Sequence, residues 1–101
     1  MPVPHPEVEA TVRLLSTAEG GRRTAILMNL REYRCPVGID GDYFDALVVS
    51  VPPAPVSPGE SAVVHMQFLS PELALPRLAP GVEITLWEGH TIATGCVLRL
   101  L

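Results

Sequence analysis

Residues 7–24 read EVEATVRLLSTAEGGRRT, and this stretch decides the fold class. From Glu7 to Leu15, apolar residues occupy every second position, beginning with Val8, and polar residues fill most of the positions between them. This period of two predicts a strand with one buried and one solvated face. Gly20-Gly21 then supplies the backbone freedom that a turn requires. The domain is therefore predicted to open with a strand and a tight turn.

The same strand signal recurs along the rest of the chain. Ser61–Leu69 and Val82–Glu88 alternate, and Tyr43–Val51 is rich in aromatic and β-branched residues. Gly89-His90 joins Val82–Glu88 to a last strand, His90–Leu100, as a hairpin. Eleven prolines and eight glycines argue against a helical bundle. Five to six antiparallel strands in so small a domain predict closure into a barrel, because closure removes the sheet edges.

The connections are predicted from their turn residues. Ile39–Asp42 and Pro58-Gly59 are typical of turns. Arg31–Pro36 is charged and ends at a proline, which favours a loop or an irregular edge. Ser70–Gly81 holds three prolines, so we expect a long connection with room for one short strand around Leu73–Leu75.

The length of the chain supports one domain. Its 101 residues are enough for a single core but not for two. Residues 1–6 are rich in proline and are expected to form a flexible leader, so that the barrel spans residues 7–101. Residues 25–30 form an apolar run whose type the sequence leaves open.

Charge and cysteine content exclude several classes of protein. The net charge is −4, with seven arginines and no lysine, which argues against a nonspecific nucleic-acid binder. Cys35 and Cys96 are too few for a disulfide scaffold and indicate reduced thiols. The sequence has no signal peptide and no proline-free apolar run that would span a bilayer. We therefore expect a cytoplasmic protein that does not bind membranes.

Four of the seven arginines lie within thirteen residues. They are Arg22, Arg23, Arg31 and Arg34. Guanidinium groups on loops suit phosphate oxygens, which would make this a site for RNA. The alternative is a solvated edge whose charges keep strands from pairing with other chains.

Several segments together resemble the C-terminal β-barrel domain of elongation factor Tu and related translation GTPases. The resemblance covers roughly residues 7–101 and rests on the order and spacing of its segments. These segments are Val8–Ser16, Glu19–Thr24, Val56–Glu60, Phe68–Pro71 and Glu88–Val97. It implies a six-stranded antiparallel barrel that carries no catalytic residue and contacts the T stem of tRNA, the G domain and the exchange factor.

The resemblance also implies roles for particular residues. Arg22 and Arg23 match a basic pair that touches the tRNA backbone in the family. Glu88 and Gly89 match a hairpin turn that lies against the T stem. Arg31 matches a family arginine if the alignment has no gap. With a three-residue insertion, Tyr33-Arg34 takes that place instead.

The chain departs from the family at three points. The glutamine that follows the family arginine is absent in either register, and His90 stands where a glycine followed by arginine is usual. The GTPase domain and the middle barrel are missing. Because the chain has no lysine, it holds no phosphate-binding loop of the family type, and we expect no GTP binding.

The remaining candidates are weighed by their chemistry. The three histidines lack metal-ligand spacing, so we expect neither a metal nor a cofactor. Cys35 follows Arg34, which would lower the pKa of its thiol if the two were close in space; the simpler interpretation is a buried, idle thiol. Trp87 falls on the polar side of its strand, where it either anchors a protein partner or is twisted into the core.

These observations predict a non-catalytic binding module. The first hypothesis is a protein partner, favoured by the acidic charge, the missing glutamine and arginine, and the exposed aromatic residues. The second is RNA, through the four arginines and the Glu88-Gly89 turn. The third, an enzyme that uses Cys35, has the least support because no base or orienting group is evident.

Overall fold

The computed structural model describes residues 5–28 and 33–101. Within these ranges the chain forms eight strands, one short α-helix and two 3₁₀ turns. The 3₁₀ turns span Thr17–Glu19 and Leu75–Arg77. The strands and the helix are β1 (Val8–Leu14), β2 (Ile26–Leu27), β3 (Arg34–Ile39), β4 (Asp42–Ser50), β5 (Pro55–Val56), β6 (Ser61–Phe68), α1 (Pro71–Ala74), β7 (Glu83–Trp87) and β8 (Thr91–Leu100).

Six of these strands close into a barrel. The order around it is β1-β6-β4-β3-β7-β8, every neighbouring pair is antiparallel, and β8 pairs with β1 to close the ring. Val8, for example, lies opposite Met66 of β6 on one side and Leu100 of β8 on the other. The predicted all-β class and the closed six-stranded barrel are confirmed.

The interior of the barrel is filled by the alternate residues that the sequence predicts. Burial along β1 strictly alternates, with Val8, Ala10, Val12 and Leu14 at most 1% exposed. These side chains join a single core cluster with residues of every other barrel strand. Because the core is packed with aliphatic side chains rather than open, any ligand must meet the outside of the barrel.

The β3–β4 hairpin turns at Asp40 and Gly41, as predicted. Both residues have positive φ, 50° and 86°, and Ile39 pairs with Asp42 across them. Two left-handed residues between paired strands are typical of a type I′ turn, whose twist matches that of the strands.

Two predictions about the connections are wrong. Arg34–Ile39 is a strand, not a loop, although it contains Pro36. Pro71–Ala74 is a helix, so no strand forms at Leu73–Leu75; Pro71 begins this helix, where its missing N–H costs nothing. The Pro58-Gly59 turn is present as predicted, with a φ of 89° at Gly59. The same connection also contributes β5, which pairs with β2 as a separate two-stranded ladder.

The two ends of the barrel domain meet. The Leu101 amide donates a 2.9 Å hydrogen bond to the Glu7 carbonyl, so the start of β1 and the end of β8 lie at the same end of the barrel. Residues 1–4 of the predicted leader lie outside the described residues, and His5 is exposed. No helix in the described part of the chain is long and apolar enough to cross a membrane.

Candidate functional site

Arg22, Tyr33 and Glu88 meet at the end of the barrel opposite the chain ends, and we call them the arginine-loop surface. Arg22 Nη1 donates to Glu88 Oε1 at 2.6 Å and to Oε2 at 2.8 Å, and the Tyr33 hydroxyl donates to Oε2 at 2.6 Å. The side chains of Arg22 and Glu88 are about a quarter exposed. The structure therefore joins the predicted arginine loop to the predicted hairpin turn through one carboxylate.

The loop around Arg22 is held in place by hydrogen bonds and close packing among its own residues. Ser16 and Glu19 form a capping box, and the Thr17 hydroxyl donates a 2.9 Å hydrogen bond to the Arg22 carbonyl. A Cβ at Gly21 would overlap the Leu15 carbonyl, so only glycine fits there. Arg22 Nε also donates to the carbonyl of Thr24 at 3.2 Å. The guanidinium of Arg22 is thus oriented from two sides.

Tyr33 and Cys35 lie behind Glu88 in a less solvated region. Burial, with the nearby Cys35 and Glu88, raises the pKa of the Tyr33 hydroxyl, which stays protonated and donates to Glu88. Burial likewise raises the pKa of the Cys35 thiol to about 11. The hypothesis that Arg34 activates this thiol is therefore wrong: the exposed Arg34 side chain does not offset the desolvation.

The other predicted residues of this surface are placed as follows. Arg23 and Arg34 are exposed, and no carboxylate of the described residues lies within 4.0 Å of either guanidinium. Gly89 has a φ of 79°, which permits the tight turn between β7 and β8. His90 is exposed. Arg31 lies outside the described residues.

Trp87 and Tyr43 form an aromatic patch on the outer wall of the barrel. Their ring centroids lie 5.9 Å apart with the planes tilted by 54°. Trp87 is 38% exposed and Tyr43 53% exposed. Of the two alternatives for Trp87, the exposed one is correct, because Glu83, Thr85 and Trp87 share the outward face of β7. Tyr43 also covers Gly38 of β3.

Elsewhere on the surface, most arginines are neutralised by acidic neighbours. Arg13 donates to both carboxylate oxygens of Glu19, and Arg77 donates to Asp42. Glu9 lies between His65 Nε2 at 2.9 Å and Arg99 Nε at 3.0 Å. These pairs stabilise the barrel wall locally and leave little net positive potential on it. Among the described residues, no group of three or more His, Cys, Asp or Glu side chains is arranged to hold a metal ion.

The contacts of two residues of these surfaces were not predicted from the sequence. The role of Tyr33 as a donor to Glu88 was missed, because 55 positions separate the two residues. Gly38 was interpreted as part of the turn that follows it, whereas it lies inside β3, where a glycine permits the close approach of a neighbouring side chain. The position of Gly38 in the sequence does not indicate that the Tyr43 ring lies over it.

No protein-family model matches this chain, and no curated protein matches it either.

Proposed function

We propose that this chain is a non-catalytic binding module whose outer wall binds a protein partner. The observation that carries the proposal is the exposed aromatic patch of Tyr43 and Trp87. Large aromatic side chains provide much of the binding energy at protein interfaces, because they bury a large rigid area at little entropic cost. Here the two rings contact each other, and Trp87 and Tyr43 remain 38% and 53% exposed.

Two further observations agree with a binding role. The interior of the barrel is filled, so recognition takes place on the outer surface. Cys35, the one nucleophile that the sequence suggested, is buried and its pKa is raised, so its thiol stays protonated at neutral pH.

Capture of a partner from cell extract by the immobilised full chain tests this proposal. The double variant Tyr43→Ser/Trp87→Ser is expected to lose the captured protein. Leu69→Ser is the matched control, because Leu69 is also 53% exposed but follows β6, outside the aromatic patch. Capture that survives the double variant, or that is lost equally in the control, would contradict the proposal. Near-UV circular dichroism of each variant establishes that it is folded.

The second candidate function is RNA binding at the arginine-loop surface. Its support is the convergence of the Arg22 loop with the Glu88-Gly89 turn, the two segments that the resemblance to elongation factor Tu assigns to tRNA. The exposed Arg23 and Arg34 lie on the same segments as Arg22 and Tyr33. Against it stands the engagement of Arg22 by Glu88, which removes one cation from the set that would meet phosphate.

The backbone also bears on how the resemblance is aligned. The Tyr33 carbonyl accepts from the Val48 amide, and the Met28 carbonyl accepts from the Ser50 amide. The donors are two positions apart on β4, whereas the acceptors are five apart in the chain. The difference of three residues favours the register with an insertion, in which Tyr33-Arg34 takes the place of the family's arginine segment.

A salt titration of tRNA binding separates the two functions. If RNA binds, Arg23→Ala/Arg34→Ala weakens binding and lowers the slope of log K against log salt by about 1 for each phosphate that is no longer neutralised. Arg99→Ala is the matched control, because Arg99 is exposed on β8 near the chain ends and paired with Glu9. The absence of binding at low salt would rule out the RNA function and leave the protein partner.

A further inference from the structure

A shallow groove of about 850 Å³ runs along the outer wall beside the aromatic patch. It crosses β1, β8 and β7 and ends against Gly38 and Tyr43. Its floor is low near Tyr43 because Gly38, which pairs with Tyr43 and Thr85 on the outward face, carries no side chain: a Cβ there would overlap the Thr85 hydroxyl. The packing of Thr85 against β3 therefore enforces the low floor at this end of the groove.

The floor of this groove offers hydrogen-bonding groups. Thr11, Thr85 and Thr94 line it with hydroxyls, each of which both donates and accepts. An extended peptide laid along it can satisfy its backbone amides and carbonyls on these hydroxyls. Tyr43 forms the wall at one end, and the tilted Trp87 ring lies beside it.

The charge around the groove is mostly negative. Asp40 and Glu83 line it, and Asp45 lies two positions beyond Tyr43 on the same outward face of β4. Asp40 lies 3.9 Å from Arg77 Nη2. No arginine of the described residues lies within 4.0 Å of the carboxylates of Glu83 or Asp45. The one cation in the lining, Arg13, is engaged by both oxygens of Glu19, at 2.9 and 3.0 Å.

We infer that the occupant of this groove is an extended, arginine- or lysine-bearing segment of a partner protein. The inference rests on the proposed function and names the chemistry of the partner. The exposed rings of the aromatic patch attract a guanidinium or ammonium group through their faces, and the unpaired carboxylates attract the same charge. The acidic net charge of −4 steers such a segment towards the barrel and repels acidic ones.

The chain carries its own reporter for this test, because Trp87 is its only tryptophan. A blocked peptide of alternating arginine and serine, about ten residues long, spans about 33 Å when extended. This length matches the longest dimension of the protein, 35 Å. Titration of the full chain with this peptide at low salt is expected to change Trp87 fluorescence with saturation, whereas the matched glutamate–serine peptide gives no change.

The variants locate the binding. Asp45→Asn/Glu83→Gln is expected to weaken the arginine peptide about tenfold or more, because the variant removes two carboxylates that would pair with the peptide's cations. Glu72→Gln removes an equally exposed carboxylate on α1 and is expected to leave the affinity within about twofold, because only long-range charge changes. Equal losses of affinity in the two variants, or no fluorescence change with the arginine peptide, would overturn the inference. The arginine peptide could fail to bind while capture of a partner still depends on Tyr43 and Trp87. That result would contradict only this inference and would leave the proposed function intact.

Discussion

Arg22 and Glu88 lie 66 positions apart in the chain, yet the Arg22 guanidinium donates to both carboxylate oxygens of Glu88, at 2.6 and 2.8 Å. Tyr33 donates to one of the same oxygens. One carboxylate therefore fixes three segments at this end of the barrel: the loop after β1, the residue before β3 and the β7–β8 turn. The arrangement makes Arg22 a structural residue in addition to any role in binding.

Removal of the shared carboxylate is expected to destabilise the fold. Glu88→Ala leaves the partly buried Tyr33 hydroxyl and Arg22 Nη1 without their acceptor, at a cost of about 1–3 kcal/mol. Urea denaturation measures the change, with Glu72→Ala as an exposed control expected to stay within about 0.5 kcal/mol of wild type. A double-mutant cycle with Arg22→Ala isolates the coupling; additive effects would show that the two side chains act independently.

Acid stability is expected to depend on Glu19. Hydrogen bonds from Arg13 and Ser16 lower the pKa of this carboxyl from 4.5 to about 2. Since the folded-state pKa is depressed, the stabilising contribution is present above about pH 4.5 and is lost as the pH falls towards about 2. Melting temperatures between about pH 6 and about pH 2 are thus expected to fall less steeply for Glu19→Gln than for wild type.

Glu9 also contributes to the loss of folding stability at low pH. Its pKa is also lowered, by hydrogen bonds from His65 and then Arg99, so Glu19→Gln is expected to reduce the slope without abolishing it. Identical pH profiles for wild type and Glu19→Gln would show that the Arg13–Glu19 pair contributes nothing to folding.

The two cysteines are expected to differ in reactivity. Cys35 is buried with a raised pKa, about 11, whereas Cys96 is partly exposed. Since the thiolate is the reactive form, a disulfide reagent at about pH 8 should modify one thiol in the native chain and two in denaturant. Cys96→Ser is expected to make the native chain unreactive. Rapid modification of native Cys96→Ser would instead revive Cys35 as a nucleophile.

Gly38 is expected to tolerate no side chain. In Gly38→Ala the new methyl group overlaps the Thr85 hydroxyl and crowds the Tyr43 ring, which is expected to cost about 1–3 kcal/mol. Thr85→Ala removes the overlapping oxygen, so the double variant should recover part of the stability relative to the sum of the single variants. Thermal melts of the four chains measure this recovery, and its absence would place the strain elsewhere.

Much of the barrel is predictable from local pattern. The alternation in β1 and β6 and the Asp40-Gly41 turn each follow from neighbouring residues, and the structure agrees with them. The prediction for β3 was wrong because Pro36 was taken to be incompatible with a paired strand. A proline is tolerated in a strand where its missing N–H would face a neighbour that needs no donor. The Tyr33 carbonyl faces β4, so residue 36 faces the β7 side, where β3 pairs only at Val37 and Gly38.

The residues of the candidate sites could be predicted from the sequence, but the contacts between them could not. Arg22 and Trp87 were singled out by residue type and Glu88 by the family resemblance, yet nothing local indicates that Arg22 bonds to Glu88 or that Trp87 contacts Tyr43. Such contacts depend on the order of strands around the barrel, which alternation does not encode. The helix at Pro71 had a local signal, a proline preceded by serine and followed by glutamate, and the alternating leucines outweighed it.

The hydrogen bond between Leu101 and Glu7 has a mechanical consequence. Because β1 and β8 are adjacent and antiparallel, a force applied through the two chain ends pulls along the hydrogen bonds of that ladder, which lie perpendicular to the strands, rather than across them. The hydrogen bonds then break one after another, whereas under a shear force they would share the load. The barrel should thus open at low force from its seam, however well its interior is packed.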